Sequence, residues 1–151
     1  LDLCNFLNFK TINIMYPAEL VAPMKAELTN SGFTELTSKE AVEGVLSKKE
    51  GTTLLVINSV CGCAAGAARP GVKLALQNEK LPSNLVTVFA GVDREAVNTA
   101  RQFTLPYPPS SPCMALFKDG ELVHFIERHQ IEGNNAQTIA EHLKKVFDHF
   151  C

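Results

Sequence analysis

The chain has 151 residues, 46% of them apolar and 20% charged, with a formal charge of −2 at pH 7. That length suits one domain whose core needs no cross-links, since a chain of this size buries roughly 68–70% of its unfolded surface. The slightly acidic balance argues against nucleic acid or anionic membranes as partners, and no apolar run approaches the ~20 residues of a membrane span.

The opening segment, LDLCNFLNFKTINIM, carries Asn5, Asn8, Lys10 and Asn13 and no basic start, so it does not read as an export signal. Residues 1–15 are taken as an N-terminal extension that need not be native, with Met15 the expected true start, and residues 16–151 as one domain. The expected compartment is then the reducing cytoplasm.

From Tyr16 to Ser31, Leu20, Val21, Met24 and Leu28 fall on one helical face, Pro17 suits the first turn and Gly32 stops it. Pro23 is less comfortable there, because it lacks a donor. Thr37 and Glu40 stand at capping-box spacing before a second helix reaching about Lys48. TLLVIN, residues 53–58, is a continuous apolar run that predicts a strand buried on both faces. An Ala-rich helix follows from about Cys63 to Lys80, kinked at Pro70.

LVTVFA, residues 85–90, predicts a second buried strand, and Asp93 caps a helix with Ala96, Val97, Ala100 and Phe103 on one face. LPYPPSSP cannot be regular, because its prolines fix φ and remove donors. CMALF and LVHFI around Asp119-Gly120 read as a hairpin. A last helix, from Asn135 to Phe150, has Ile139, Leu143, Val146, Phe147 and Phe150 at core spacing.

Two parallel strands, an antiparallel hairpin and a closing helix imply an α/β domain: a mixed four-stranded sheet flanked by helices, with two extra N-terminal helices. Cys61-Gly62-Cys63 lies where the first strand turns into its helix, the arrangement of thioredoxin-like domains. A thiol reacts as thiolate, and the unpaired amides and positive dipole of a helix start favour that ion. Residues two apart on a helix have Cβ vectors that diverge, so a Cys61–Cys63 bridge would be strained, even with Gly62 letting the backbone bend. A strained bridge suits exchange rather than stapling.

Of the five cysteines, Cys4 lies in the extension and Cys151 is terminal. Pro112, just before the third strand, is placed for a cis bond at the same sheet end as Cys61. Cys113 follows it, as a buried strand residue or as a third thiol near the pair. Arg128 and His129 follow the fourth strand and could bring positive charge to the thiols. His124, His142 and His149 show no ligand spacing.

The segments NSVCGCAAGAARP, VTVFAGVDREA, PPSSPCMALFKDGELVHFIERHQIEG and YPAELVAPMKAELTNSGF closely resemble the bacilliredoxin family, thioredoxin-like proteins with a Cys-Gly-Cys active site. The resemblance runs from about Tyr16 to Cys151. It implies removal of bacillithiol, a small thiol co-substrate, from protein mixed disulfides, with no bound cofactor. By that likeness Cys61 attacks, Cys63 resolves or modulates, and Pro112 faces the site. The chain departs from the family at Cys113, where Ser is expected. Two other readings remain open: a general disulfide reductase or isomerase, and a metal or iron–sulfur module using Cys61, Cys63, Cys113 and His129. A Cys-x-Cys without a second pair is a poor zinc pattern.

Overall fold

The computed structural model describes residues 16–151. The expectation of an extension over residues 1–15, Cys4 included, lies outside the described residues. Among the described residues the sheet has five strands in the order β1-β3-β2-β4-β5, not four. These are β1 (Thr34–Glu35), β2 (Thr52–Asn58), β3 (Asn84–Phe89), β4 (Cys113–Lys118) and β5 (Glu121–Ile126). The additional strand is β1, two residues paired parallel to β3 at the sheet edge. It has too few residues to show a period of two, so only its pairing reveals it.

Strands β2 and β3 run parallel, while β4 is antiparallel to β2 and β5 to β4. Every residue of β2 is buried. Leu54 and Val56 face one core, Leu55 and Ile57 the other, as alternation across a strand demands. The β4–β5 turn uses left-handed Asp119 and Gly120, at φ 51° and 84°, as the sequence predicts.

Helices α1 (Ala18–Thr29), α3 (Arg69–Ala75) and α6 (Ala136–Phe150) cover the first core, and α2 (Lys39–Leu46) and α4 (Arg94–Phe103) the second. A single turn, α5 (Arg128–Ile131), follows β5. Val21 and Leu28 of α1 are buried, whereas Leu20 is 47% exposed, because the inward stripe of α1 is narrower than its apolar residues suggest. Pro23 stays in α1 on the exposed side. Ser38, not Thr37, caps α2 by accepting from Ala41 N at 3.1 Å. Leu36 N still donates to Thr87 O, which holds the chain extended past the expected start.

The helix after β2 departs most from expectation. It begins at Gly62, widens to a π-helix over Ala64–Ala68, and ends as α3 at Ala75 rather than near Lys80. Arg69 N bonds Ala64 O, five residues back. Pro70 can donate nothing and its ring would crowd the carbonyl four residues before it, so the wider turn accommodates the ring that a plain kink was expected to absorb. Gly71 is required by contact: a Cβ there would lie 2.8 Å from Ile139 of α6. Asn135 caps α6 through Thr138 N at 2.8 Å. Asp93 occupies the N-cap position of α4 but makes no side-chain cap; its carboxylate instead binds Lys25 at 2.9 Å.

Candidate active site

Cys61 immediately precedes the helical run, and its carbonyl accepts from Ala64 N at 3.0 Å and Ala65 N at 3.2 Å. It is therefore the residue from which the helix starts, beside amides that have no carbonyl one turn back. Its side chain is nearly buried, at 4% exposure, and its neighbours are polar. Ser59 Oγ lies 2.8 Å from Cys61 Sγ and also accepts from Cys61 N at 3.4 Å. That second bond leaves the hydroxyl hydrogen free to point at the sulfur.

Both cysteines of the motif are free thiols, and the Cys63 thiol donates to Cys61 Sγ across 3.4 Å. The two sulfurs are not equivalent. Burial first, and then the Cys61 hydrogen bond and charge, push the Cys63 thiol up to about 11, with Arg128 acting in the opposite direction. The expectation that the helix start ionises both thiols therefore fails for Cys63, which lies one residue inside the helix, half-buried. Gly62 is exposed, and a Cβ there would meet nothing within 4 Å.

The peptide between Ser111 and Pro112 is cis, as is that before Pro106. Ser111 O lies 3.7 Å from Cys61 Sγ, so the loop entering β4 reaches the thiol. Cys113 pairs with Ile57 and is buried in the second core at 2% exposure. Burial pushes its thiol up to about 12, against the opposing charge of Arg101 and a hydrogen bond with Ser110.

Arg128 binds Glu132 through Nη2 at 2.7 Å and acts on Cys63 by charge alone. His129 is 72% exposed and bonds Glu127 at 2.9 Å rather than a thiol. His124 and His142, unrelated by spacing, meet Nε2 to Nε2 at 2.9 Å between β5 and α6.

Four residues escape the sequence reading. Arg69, at 2% exposure, donates from Nη1 to Asn58 Oδ1 at 3.0 Å and to Ser59 O at 2.7 Å, and from Nε to Glu27. Asn58 Oδ1 also accepts from Ser59 N, and Asn58 Nδ2 donates to Met24 O at 3.2 Å. The Asn58–Ser59 corner is thus tied to α1 and α3, which fixes the hydroxyl beside Cys61. Two polar residues ending an apolar strand, and one arginine in an Ala-rich helix, were the available signals. Arg101 of α4 gave none. Among the described residues no group of three or more His, Cys, Asp or Glu side chains is placed to hold a metal ion, so the module reading lacks an assembled ligand set.

A thiol at a strand-to-helix corner, a partner thiol in contact and a cis-proline loop against it define a thiol–disulfide oxidoreductase of thioredoxin-like architecture. The family model described as disulphide isomerase matches residues 16–151. A bacilliredoxin of Cytophaga hutchinsonii is 69% identical over 134 residues, covering 89% of this chain and 98% of that protein. Another, of Halalkalibacterium halodurans, is 51% identical over 136 residues, covering 90% and 94%. Among solved structures, a reduced Schistosoma mansoni thioredoxin pre-protein superposes with TM-score 0.53 at 18% identity, covering 78% of this chain and 96% of that one. Mitochondrial thioredoxin 3 of Saccharomyces cerevisiae gives 0.53 at 16% identity, covering 82% and 98%. The chain belongs to the bacilliredoxin family.

Proposed function

We propose that this protein removes bacillithiol from protein mixed disulfides, with Cys61 as the attacking sulfur and Cys63 as the thiol that follows. The observation that carries this reading is the asymmetry of the pair. Cys61 Sγ receives the Cys63 S–H and lies 2.8 Å from the Ser59 hydroxyl, while Cys63 is held protonated. Burial and the contact with Cys61 oppose negative charge on Cys63, so the two thiols are set up for different roles.

The Cys61 thiolate attacks the bacillithiol sulfur of the mixed disulfide. A new S–S bond forms as the old one breaks, and the electron pair departs on the client protein's thiolate, which takes up a proton. Cys61 then carries the bacillithiol. It is released when Cys63, deprotonated, attacks Cys61 Sγ to give a Cys61–Cys63 disulfide and free bacillithiol, or when a second small thiol attacks the adduct. The intramolecular route is slowed by the raised Cys63 thiol, which favours a long-lived adduct. Client proteins and a small thiol are thus the partners, and the low-molecular-weight adduct is substrate rather than bound cofactor.

With prereduced protein and a bacillithiolated substrate, Cys61→Ala should lower release of the substrate thiol by at least about a hundredfold, since no nucleophile remains. Cys63→Ala should still accept bacillithiol in a single turnover and accumulate the Cys61 adduct, seen as added mass on the intact protein. Wild-type-like release by Cys61→Ala would overturn the assignment. Turnover of unmodified protein disulfides, with none of the mixed disulfide, would favour the isomerase reading instead.

A further inference from the structure

A cleft of about 640 Å³ opens beside the reactive thiol, with Ser59, Ser111, Arg101, Glu127 and Arg128 in its wall. Ser59 and Ser111 are the residues whose oxygens approach Cys61 Sγ, at 2.8 and 3.7 Å. A group joined to Cys61 through a disulfide therefore has this cleft within reach. The charges lining it are mostly matched. Glu132 accepts from Arg128 Nε and Nη2, and Glu127 is bonded to His129.

Arg101 is the exception. Its Nε is buried with no hydrogen-bond partner, and no carboxylate lies within ion-pair distance of its guanidinium among the described residues. A buried unmet donor costs about 1–3 kcal/mol, and more on a charged group, so a guanidinium with an unpartnered Nε in the wall of the cleft that Ser59 and Ser111 also line marks a place for an incoming anion. Its planar fork matches a carboxylate, which can take two parallel N–H bonds.

We infer that this cleft recognises a carboxylate on the small-thiol half of the mixed disulfide, with Arg101 as its specificity-determining residue. The inference rests on the exchange reading above. It assigns to Arg101 the choice of adduct, not the breaking of the S–S bond. A carboxylate could equally come from the client polypeptide, and the experiment separates the two sources by varying one half at a time.

A fluorescent peptide with one cysteine is joined to mercaptosuccinate or to neutral 2-mercaptoethanol, and single-turnover release of the peptide thiol is followed with prereduced protein. Arg101→Met should slow the mercaptosuccinate adduct about tenfold and the mercaptoethanol adduct less than twofold, the loss expected for a charge-assisted hydrogen bond. Arg101→Lys should recover part of the loss. Intrinsic reactivity of the two adducts cancels in the wild-type-to-variant ratio. Succinate should compete with the mercaptosuccinate adduct on the wild-type protein, a measurement that needs no variant.

Equal losses on both adducts, no loss on either, or dependence only on acidic residues in the peptide would overturn the inference while leaving the exchange reading intact. A wild-type protein inert towards both adducts would overturn the exchange reading, and this inference with it.

Discussion

The two ends of β2 are both polar, buried and hydrogen-bonded, yet they do opposite things. At the first end, Thr52 Oγ1 accepts from Ser83 N at 2.9 Å, and Thr53 Oγ1 from Asn84 Nδ2 at 3.3 Å. The β4–β5 turn closes the same end, with Asp119 Oδ1 accepting from Gly51 N at 3.0 Å and Asp119 N donating to Gly51 O at 2.9 Å. Each of these contacts joins two groups and turns none of them towards a ligand. At the second end, Asn58 and Ser59 are held by Arg69 and Met24, and the Ser59 hydroxyl meets a sulfur instead of a backbone group. The difference teaches that polar burial closes a sheet end when every group finds a partner. It makes a site when one group is left to meet the substrate.

Replacing Arg69 should separate the two ends most sharply. Arg69→Met leaves buried Ser59 O and Asn58 Oδ1 without this donor and the partly exposed Glu27 without its partner, at a cost of about 3 kcal/mol for two buried acceptors left unmet. For a chain of this length that lowers Tm by roughly 10 °C, and exchange should slow as well, because the Ser59 corner loses its tether. A thermal melt showing no change would mean that the guanidinium does not hold the corner.

Alkaline pH should act next most strongly, and on the same side of the molecule. Cys63 and Cys113 are pushed up to about 11 and about 12, chiefly by burial, whereas an unfolded thiol titrates near ~8.5. Above that value the folded state keeps protons that the unfolded chain has lost, so stability is complete below about pH 8.5 and falls as pH rises towards 12. Cys113 alone, at 1.36 kcal/mol per unit, accounts for a loss of about 2 kcal/mol by pH 10. Cys113 by itself should make melts at pH 8 and pH 10 differ by roughly 5 °C, and Cys113→Val should remove that part of the slope. An unchanged slope in the variant would show that Cys113 is not the group responsible.

Ser59→Ala is a finer probe, since it removes the hydroxyl and keeps the corner. Exchange should slow about tenfold, the equivalent of ~1.4 kcal/mol, with Tm within a few degrees of wild type. Exchange at the wild-type rate would reduce Ser59 to a packing residue. Asp119→Ala, at the opposite end, should give the smallest effect: a loss of about 1 kcal/mol in urea unfolding and no change in exchange rate. A slowed exchange there would break the contrast between the ends.

Much of the fold was readable from local pattern. The apolar run of β2, the Asp119-Gly120 turn and the spacing of Ile139, Leu143, Val146 and Phe147 each encode an element within a few residues. Misreadings came where a distant contact overrode local preference. Leu36 N reaches Thr87 O and displaces the α2 cap to Ser38, and Lys25 draws Asp93 away from its cap. Of the site, Cys61 and Cys63 could be picked out because thiol chemistry is scarce and position-dependent. Arg128 and His129 stand out in the sequence by their charge, and in the structure each is held by a carboxylate, Arg128 by Glu132 and His129 by Glu127.

The sequence by itself determined the α/β class, the strand-to-helix corner bearing the thiols and the family resemblance, all of which depend on residues near one another along the chain. Only the tertiary structure decided that the Cys63 thiol is pushed up, that Arg69 anchors the corner and that Arg101 Nε is buried without a partner among the described residues. Burial and hydrogen-bond partnership set those properties, and both arise from segments brought together across the sheet: β2 and α3 with α1 at the corner, and α4 with the β4 and β5 loops in the cleft.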